Sequence, residues 1–356
     1  MKSGRGFLII FALFWSSLVL LFDGFICTSI VHQVRAEKFP STAGQVVSSQ
    51  VTRHRGSKGG TSYGVKIGYQ YVVDDRTFQA GRYRYGQVSS SNRSWAQATV
   101  ARFPPGSQTR VFYNPANPSD ALLSPGIDGS DLFFLLILTP FNGVMFALWS
   151  GVFLWIRQKY FQPEAGGAKI IEEPAVVRVR LPSWTPGYSA LVALGIAAFV
   201  AMFVIALGYG GQASMNVMQT VWLLTVGTAG GAYAWRWARI RTGNEDLILD
   251  QARGTIDLPM TLGRKSRITV AVSDIESVGV QRIQHRGRRG SGTPTYAPTI
   301  YLRASPAQHI KLVEWYDSSR AESLAAWLRA QLNLPEPEPL GTSFGWSGRA
   351  AAPPKG

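Results

Sequence analysis

Cysteine is nearly absent from this chain. One residue, Cys27, is present in 356, which excludes an intramolecular disulfide and any metal site built from several thiolates. Histidine is scarce too. His32, His54, His285 and His309 are the full set, and no two stand three or four residues apart, the spacing that sets two ligands on one helical face. No GxxxxGK[ST] phosphate loop and no HExxH zinc helix occurs. Asp74 and Asp75 are adjacent, so on a strand they point to opposite faces. They read as turn formers, not as a catalytic carboxylate pair. His54 lies in a basic loop, and nothing in its spacing selects a serine or aspartate partner. The expectation is a non-enzymatic protein with no cofactor, no metal and no catalytic residue.

Acidic residues are also few. There are 21 against 36 basic ones, a net charge of +15. The excess is spread over the N-terminal tip and all the polar regions. Nucleic-acid binding needs a concentrated basic face, so none is expected. Attraction to anionic lipid headgroups is the simpler reading.

Apolar residues, by contrast, are concentrated. Four blocks, at about 7–30, 132–156, 188–210 and 216–235, each approach the ~20 residues that cross a bilayer as a helix. The spacing predicts a multi-pass α-helical membrane protein with two small soluble modules. Its first span is residues 1–30. A signal peptide is the other reading of that run, because Val34-Arg35-Ala36 faintly resembles a cleavage site, but the run is longer than an ordinary signal core. Asp23 falls inside it and is expected near the outer helix end, in reach of headgroups or water. The second span is 131–156, and Arg157 and Lys159 follow it at once. Residues 157–187 are then a short cytoplasmic loop by the positive-inside rule. The third and fourth spans share 188–235, with Arg236, Arg239 and Arg241 at the inner end. Both termini are expected in the cytoplasm and the membrane is expected to be the inner (plasma) membrane. Gly227 and Gly231 form a GxxxG, whose small residues let helix backbones approach. It serves either packing among this protein's own spans or a homo-oligomer.

Residues 31–130 form the extracytoplasmic module, expected as an antiparallel β-sheet or small barrel. Tyr63, Val65, Ile67, Tyr69, Tyr71 and Val73 alternate with their neighbours, the period of a strand with one buried face. Asp74-Asp75-Arg76 turns the chain into a partner strand, and Trp95–Arg102 is a helix or an irregular segment. Val111-Phe112-Tyr113 closes the unit, stopped by Asn114, Pro115, Asn117 and Pro118. The Tyr-x-Tyr-x-Val strand, the Phe-Pro-Pro-Gly turn and the ending VFYNPANPSDALL just before a span resemble the DUF3592 family over about residues 44–125. That resemblance implies architecture, and no catalytic residues.

Residues 244–332 form the second module, a cytoplasmic β-sheet with a C-terminal helix. Strands are expected near 247–256, 267–272, 276–283, 299–303 and 309–313. Ser319 and Glu322 match a capping box, and Leu324, Ala325, Leu328 and Leu332 mark one helix face. Strands closed by one helix resemble a bacterial pleckstrin-homology-like (PH-like) domain. Residues 333–356, rich in proline and glycine, are expected as a disordered tail. Between two strands lies a basic, glycine-rich loop. Its Arg282, Arg286, Arg288 and Arg289 are the candidate contacts to anionic lipid, and a solubilising hairpin loop is the equal alternative. The functional expectation is an envelope scaffold or interaction protein that binds a lipid or a membrane or envelope protein. The alternative is an enzyme or enzyme-assembly factor with a site on the outer β module.

Overall fold

A computed structural model of the chain describes residues 3–56, 60–160, 164–181, 184–260, 264–287, 290–291 and 293–335. Lys2, Arg288, Arg289 and the tail from 336 lie outside them. The chain divides into two compact units, one of residues 1–155 and 185–236, the other of 156–184 and 237–356.

In the first unit, helix α1 (Ser3–Ala36) leads into β1 (Ser41–Arg55), β2 (Thr61–Val73) and β3 (Arg76–Ala80). Helix α2 (Arg93–Ala101), β4 (Gln108–Asn114), β5 (Asn117–Leu122) and helix α3 (Gly129–Tyr160) come next. The strands make one antiparallel sheet in the order β3-β2-β1-β4-β5. The expected alternation in β2 is observed: Val65, Ile67, Tyr69, Tyr71 and Val73 are buried, while Lys66 and Val72 are exposed. Asp74 and Asp75 both adopt positive φ, 48° and 58°. This is the left-handed turn that matches strand twist, and it is one aspartate tolerates. The segment after Val111 differs from expectation. The prolines do not end the sheet. Pro115 and Ala116 form a tight turn, Asn114 pairs with Asn117, and β5 returns as an edge strand. Pro118 fits there because an edge strand does not need every N–H. Helix α2 lies on the sheet, capped by Asn92, which accepts from Trp95 N at 3.0 Å.

Among the described residues three helices are long and apolar enough to cross a membrane: Gly6–Ala36, Gly129–Phe153 and α4 (Pro186–Tyr209). The fourth expected span does form a helix, α5 (Met215–Arg241). Its glycines, threonines, Gln219 and terminal arginines leave it outside that set. Because α1 runs on to Ala36, Asp23 sits mid-helix instead of near its outer end. It accepts from Asn142 Nδ2 of α3 at 3.0 Å. Trp15 Nε1 donates to Phe141 O (3.2 Å) and Trp149 Nε1 to Ser16 Oγ (2.8 Å), so α1 and α3 are joined along their length. The turn between α4 and α5 is held by the β module. Ser90 Oγ donates to Gly210 O at 2.7 Å and Asn92 Nδ2 to Tyr209 O at 3.2 Å. Gly210 has φ +60°, and a Cβ there would lie 2.8 Å from that of Asn92, so glycine alone fits.

The second unit corrects the expected loop at 157–187. That segment supplies β6 (Lys169–Glu173) and β7 (Val176–Arg180). After α4 and α5 come β8 (Asp246–Asp250), β9 (Thr255–Leu258) and β10 (Ile268–Ala271). All five share one antiparallel sheet, β10-β9-β8-β7-β6, in which β7 pairs directly with β8. The physical reason is a shared core. Val177 and Val179 alternate with Arg178 and Arg180, and the valines complete a core that Leu247, Leu249 and Ile256 would leave open. Arg180 forks onto the buried Asp246, Nε to Oδ1 at 2.9 Å and Nη2 to Oδ2 at 3.1 Å. That hydrogen bond raises the arginine's pKa. A second sheet, β11-β14-β15, contains β11 (Ile275–Ile283), β14 (Thr295–Leu302) and β15 (Ser305–Lys311). A two-residue ribbon, β12 (Arg286–Gly287) with β13 (Gly290–Ser291), lies between β11 and β14 in sequence. Helix α6 (Ser318–Leu332) covers β11 and β14 with Leu324, Ala325 and Leu328. Asp317, not Ser319, caps α6 and accepts from Ser319 N at 3.0 Å. Glu322 instead accepts from the buried Arg329 at 2.6 Å.

Candidate functional site

The sequence pointed to the 282–289 loop. Arg282 lies on β11 and is exposed, and Arg286 starts the short ribbon. Arg282 lines none of the clefts described below. The features with more chemistry lie where the first β module meets α1 and α3.

There, Arg84 is buried, with 4% of its side chain exposed. It donates from Nη2 to Asp131 Oδ2 at 2.5 Å and to Gly126 O at 3.2 Å, and from Nη1 to Ser130 Oγ at 3.2 Å. It also pairs with Asp128. Asp128 itself caps α3, accepting from Ser130 N at 2.8 Å, where a carboxylate suits the positive helix end. From α1, Gln33 Nε2 reaches Gly126 O (2.7 Å) and Ser124 O (3.2 Å), and Tyr85 N donates back to Gln33 Oε1 at 3.3 Å. These groups tie the sheet to both helices. A one-residue slip in any of the three would leave buried polar atoms unpaired.

Beside this knot run two polar clefts. One holds His32, Arg82, Tyr85 and Asp120. Arg82 pairs with Asp120 and its guanidinium lies 4.6 Å from the centre of the Tyr85 ring. Tyr85 donates to Asp120 Oδ2 at 2.8 Å. Burial, then that hydrogen bond, pushes the Tyr85 phenol up to about 12. Burial likewise raises Tyr69, which donates to Arg82 O at 2.9 Å. The second cleft, of about 530 Å³, is lined by His54, Arg82, Arg84, Gln87 and Ser89. Below it, a groove of about 490 Å³ lies between α1 and α3, walled by Trp15, Phe22, Phe25, Phe134 and Phe141.

Other motifs resolve less. Gly60-Thr61-Ser62-Tyr63-Gly64 has the letters of a nucleophile elbow. It enters β2 from a hairpin loop, without the strand-to-helix turn that exposes such a serine. Ser62 is the register partner of His54. Among the described residues no group of three or more His, Cys, Asp or Glu could hold a metal ion. A Cβ placed at Gly227 or Gly231 would meet nothing within 4 Å, so among the described residues of the first unit nothing packs against the GxxxG face.

The features together define a protein with apolar helices of membrane-spanning length, carrying two antiparallel β units. Residues 42–128 match the family model for a domain of unknown function (DUF3592), so the first β unit is a DUF3592 domain. No curated protein and no solved structure matches the chain.

Proposed function

We propose that this is a non-enzymatic integral protein of the inner (plasma) membrane, an interaction protein that binds a lipid or protein partner through its β modules. It crosses the bilayer four times. The DUF3592 domain lies outside, and the second β module and both termini lie in the cytoplasm. The observation that carries this topology is the pairing of β7 with β8. The chain leaves that sheet, makes α4 and α5, and returns to it, so it crosses the membrane an even number of times in between. If α4 crosses, α5 must cross back, although its composition is less apolar. Glycine-containing spans of this kind are common where helices pack together. The hydrogen bonds from Ser90 and Asn92 to the α4–α5 turn support an outer position for that turn. The arginines that end α5 support an inner position for β8 and the strands after it. The strand sheets closed by α6 support a PH-like reading of the second module. Reporter fusions at residues 90 and 300 test the arrangement. Opposite sides are expected, and the same side contradicts it.

A second reading, an enzyme or enzyme-assembly factor on the outer module, is favoured by the cleft that gathers Arg82, Tyr85 and Asp120. It predicts a turnover that Asp120→Asn abolishes. Partner capture indifferent to that variant supports the first reading.

A further inference from the structure

We infer that the groove between α1 and α3 and the polar cleft above it form one site for a bilayer lipid with an anionic headgroup. The acyl chain lies between the helices and the headgroup lies against His54, Arg82 and Arg84. This inference rests on α1 and α3 spanning the membrane.

Four observations carry it. First, the two spaces adjoin: Phe25, Ser29, Gly86 and Val88 line both. Second, the chemistry changes across that mouth, from aromatic and aliphatic walls to basic and amide groups, as an amphipathic ligand requires. Third, the cleft presents its cations and not their partners. No carboxylate is among the described residues lining the upper cleft; Asp120, Asp128 and Asp131, which pair with Arg82 and Arg84, lie outside that lining. Fourth, Arg84 Nε is a buried donor with no partner among the described residues. Such a group costs free energy unless something accepts from it.

The mouth is built, not incidental. Gly86 has φ +65°, and a Cβ there would lie 3.0 Å from that of Ser29. The loop carrying Gly86 therefore lies directly on α1. Trp15 and Phe141, stacked with ring centres 6.0 Å apart, join α1 to α3 across the groove they line.

The test uses the full chain, purified in detergent and exchanged into mixed micelles with equal phosphatidylglycerol and phosphatidylcholine. Bound lipid is then read by native mass spectrometry. Wild type is expected to retain phosphatidylglycerol selectively. Arg82→Ala should lower that retention about five-fold, the effect of one basic group near an anionic surface. His54→Ala should lower it as well, which guards against misfolding of either variant. Ser29→Phe, filling the mouth, should lower retention of both lipids. A phosphatidylglycerol with a photoreactive acyl chain should label peptides from 15–30 and 131–141. Equal retention of the two lipids, no effect of either polar variant, or labelling spread over all helices overturns the site. Displacement by millimolar inorganic phosphate overturns the assignment to a lipid. Alkaline extraction separates the two levels. A chain that leaves the membrane refutes the membrane reading, whereas one that stays but does not select the lipid refutes the site alone.

Discussion

Replacing Arg84 by methionine should destabilise the first unit more than any exposed change. Arg84 and Asp131 expose 4% and 6% of their side chains. Removing one member of such a pair strands the other charge, a loss of about 3–5 kcal/mol. Asp131 would keep one partner, the Asp128 N–H at 3.0 Å, which places the expected loss near the lower end, about 3 kcal/mol. The pairing to Asp128 adds little, because that side chain is half exposed. The double variant Arg84→Met, Asp131→Leu removes both charges and keeps the volume. It should recover most of the loss, since apolar replacement of a whole buried pair is often neutral or better. Equilibrium unfolding in mixed micelles, monitored by tryptophan fluorescence, gives the four corners of the cycle. A coupling of at least about 1 kcal/mol is expected for groups in contact. Additive losses, or a single variant as stable as wild type, would refute the reasoning that this knot fastens the sheet to the helices.

Other consequences are open to measurement. The Tyr85 phenol is raised from 10.0 to about 12 in the folded protein. Its contribution is therefore complete below pH 10 and lost as pH rises through about 12. Tyr85→Phe should flatten the fall in thermal midpoint across that window, and an unchanged slope would count against the partial burial of the phenol and its hydrogen bond to Asp120. Because the Gly227 and Gly231 face is open, Gly227→Leu and Gly231→Leu should each weaken self-association in bilayers by holding the helix backbones apart. Energy transfer between labelled chains that is identical to wild type would remove the homo-oligomer. Changing Arg282, Arg286, Arg288 and Arg289 to alanine should weaken binding to anionic liposomes by about 1 kcal/mol per residue near the surface. Salt-insensitive binding by the variant would remove that contact.

Much of the fold was legible because one buried face imposes a period. The β2 alternation and the α6 stripe at Leu324, Ala325 and Leu328 arise from burial repeating at the strand or helix spacing, whereas α1, α3 and α4 were legible from the length of their apolar runs. The β6–β7 hairpin was hidden by its charges. Lys169, Arg178 and Arg180 satisfied the positive-inside rule, and only the distant β8 strand reveals that the valines between them are core. Pro118 hid β5 because an edge position is a tertiary fact, not a local one. The candidate site was the least legible. Arg84, Asp131, Gln33 and His54 are far apart in sequence and share no motif, so their convergence exists only once α1, α3 and the sheet are packed. The sole local sign was an acidic residue opening an apolar run, Asp131, in the first turn of α3.

Labelling at Ser214, an exposed residue of the α4–α5 turn, tests the four-span topology most directly. In a Cys27→Ser background, Ser214→Cys should react with a membrane-impermeant maleimide applied to the outer face of intact spheroplasts, and Arg282→Cys should react only after permeabilisation. Protection of the Ser214 position until the membrane is opened would mean that α4 and α5 do not form an outward hairpin, and would contradict the account.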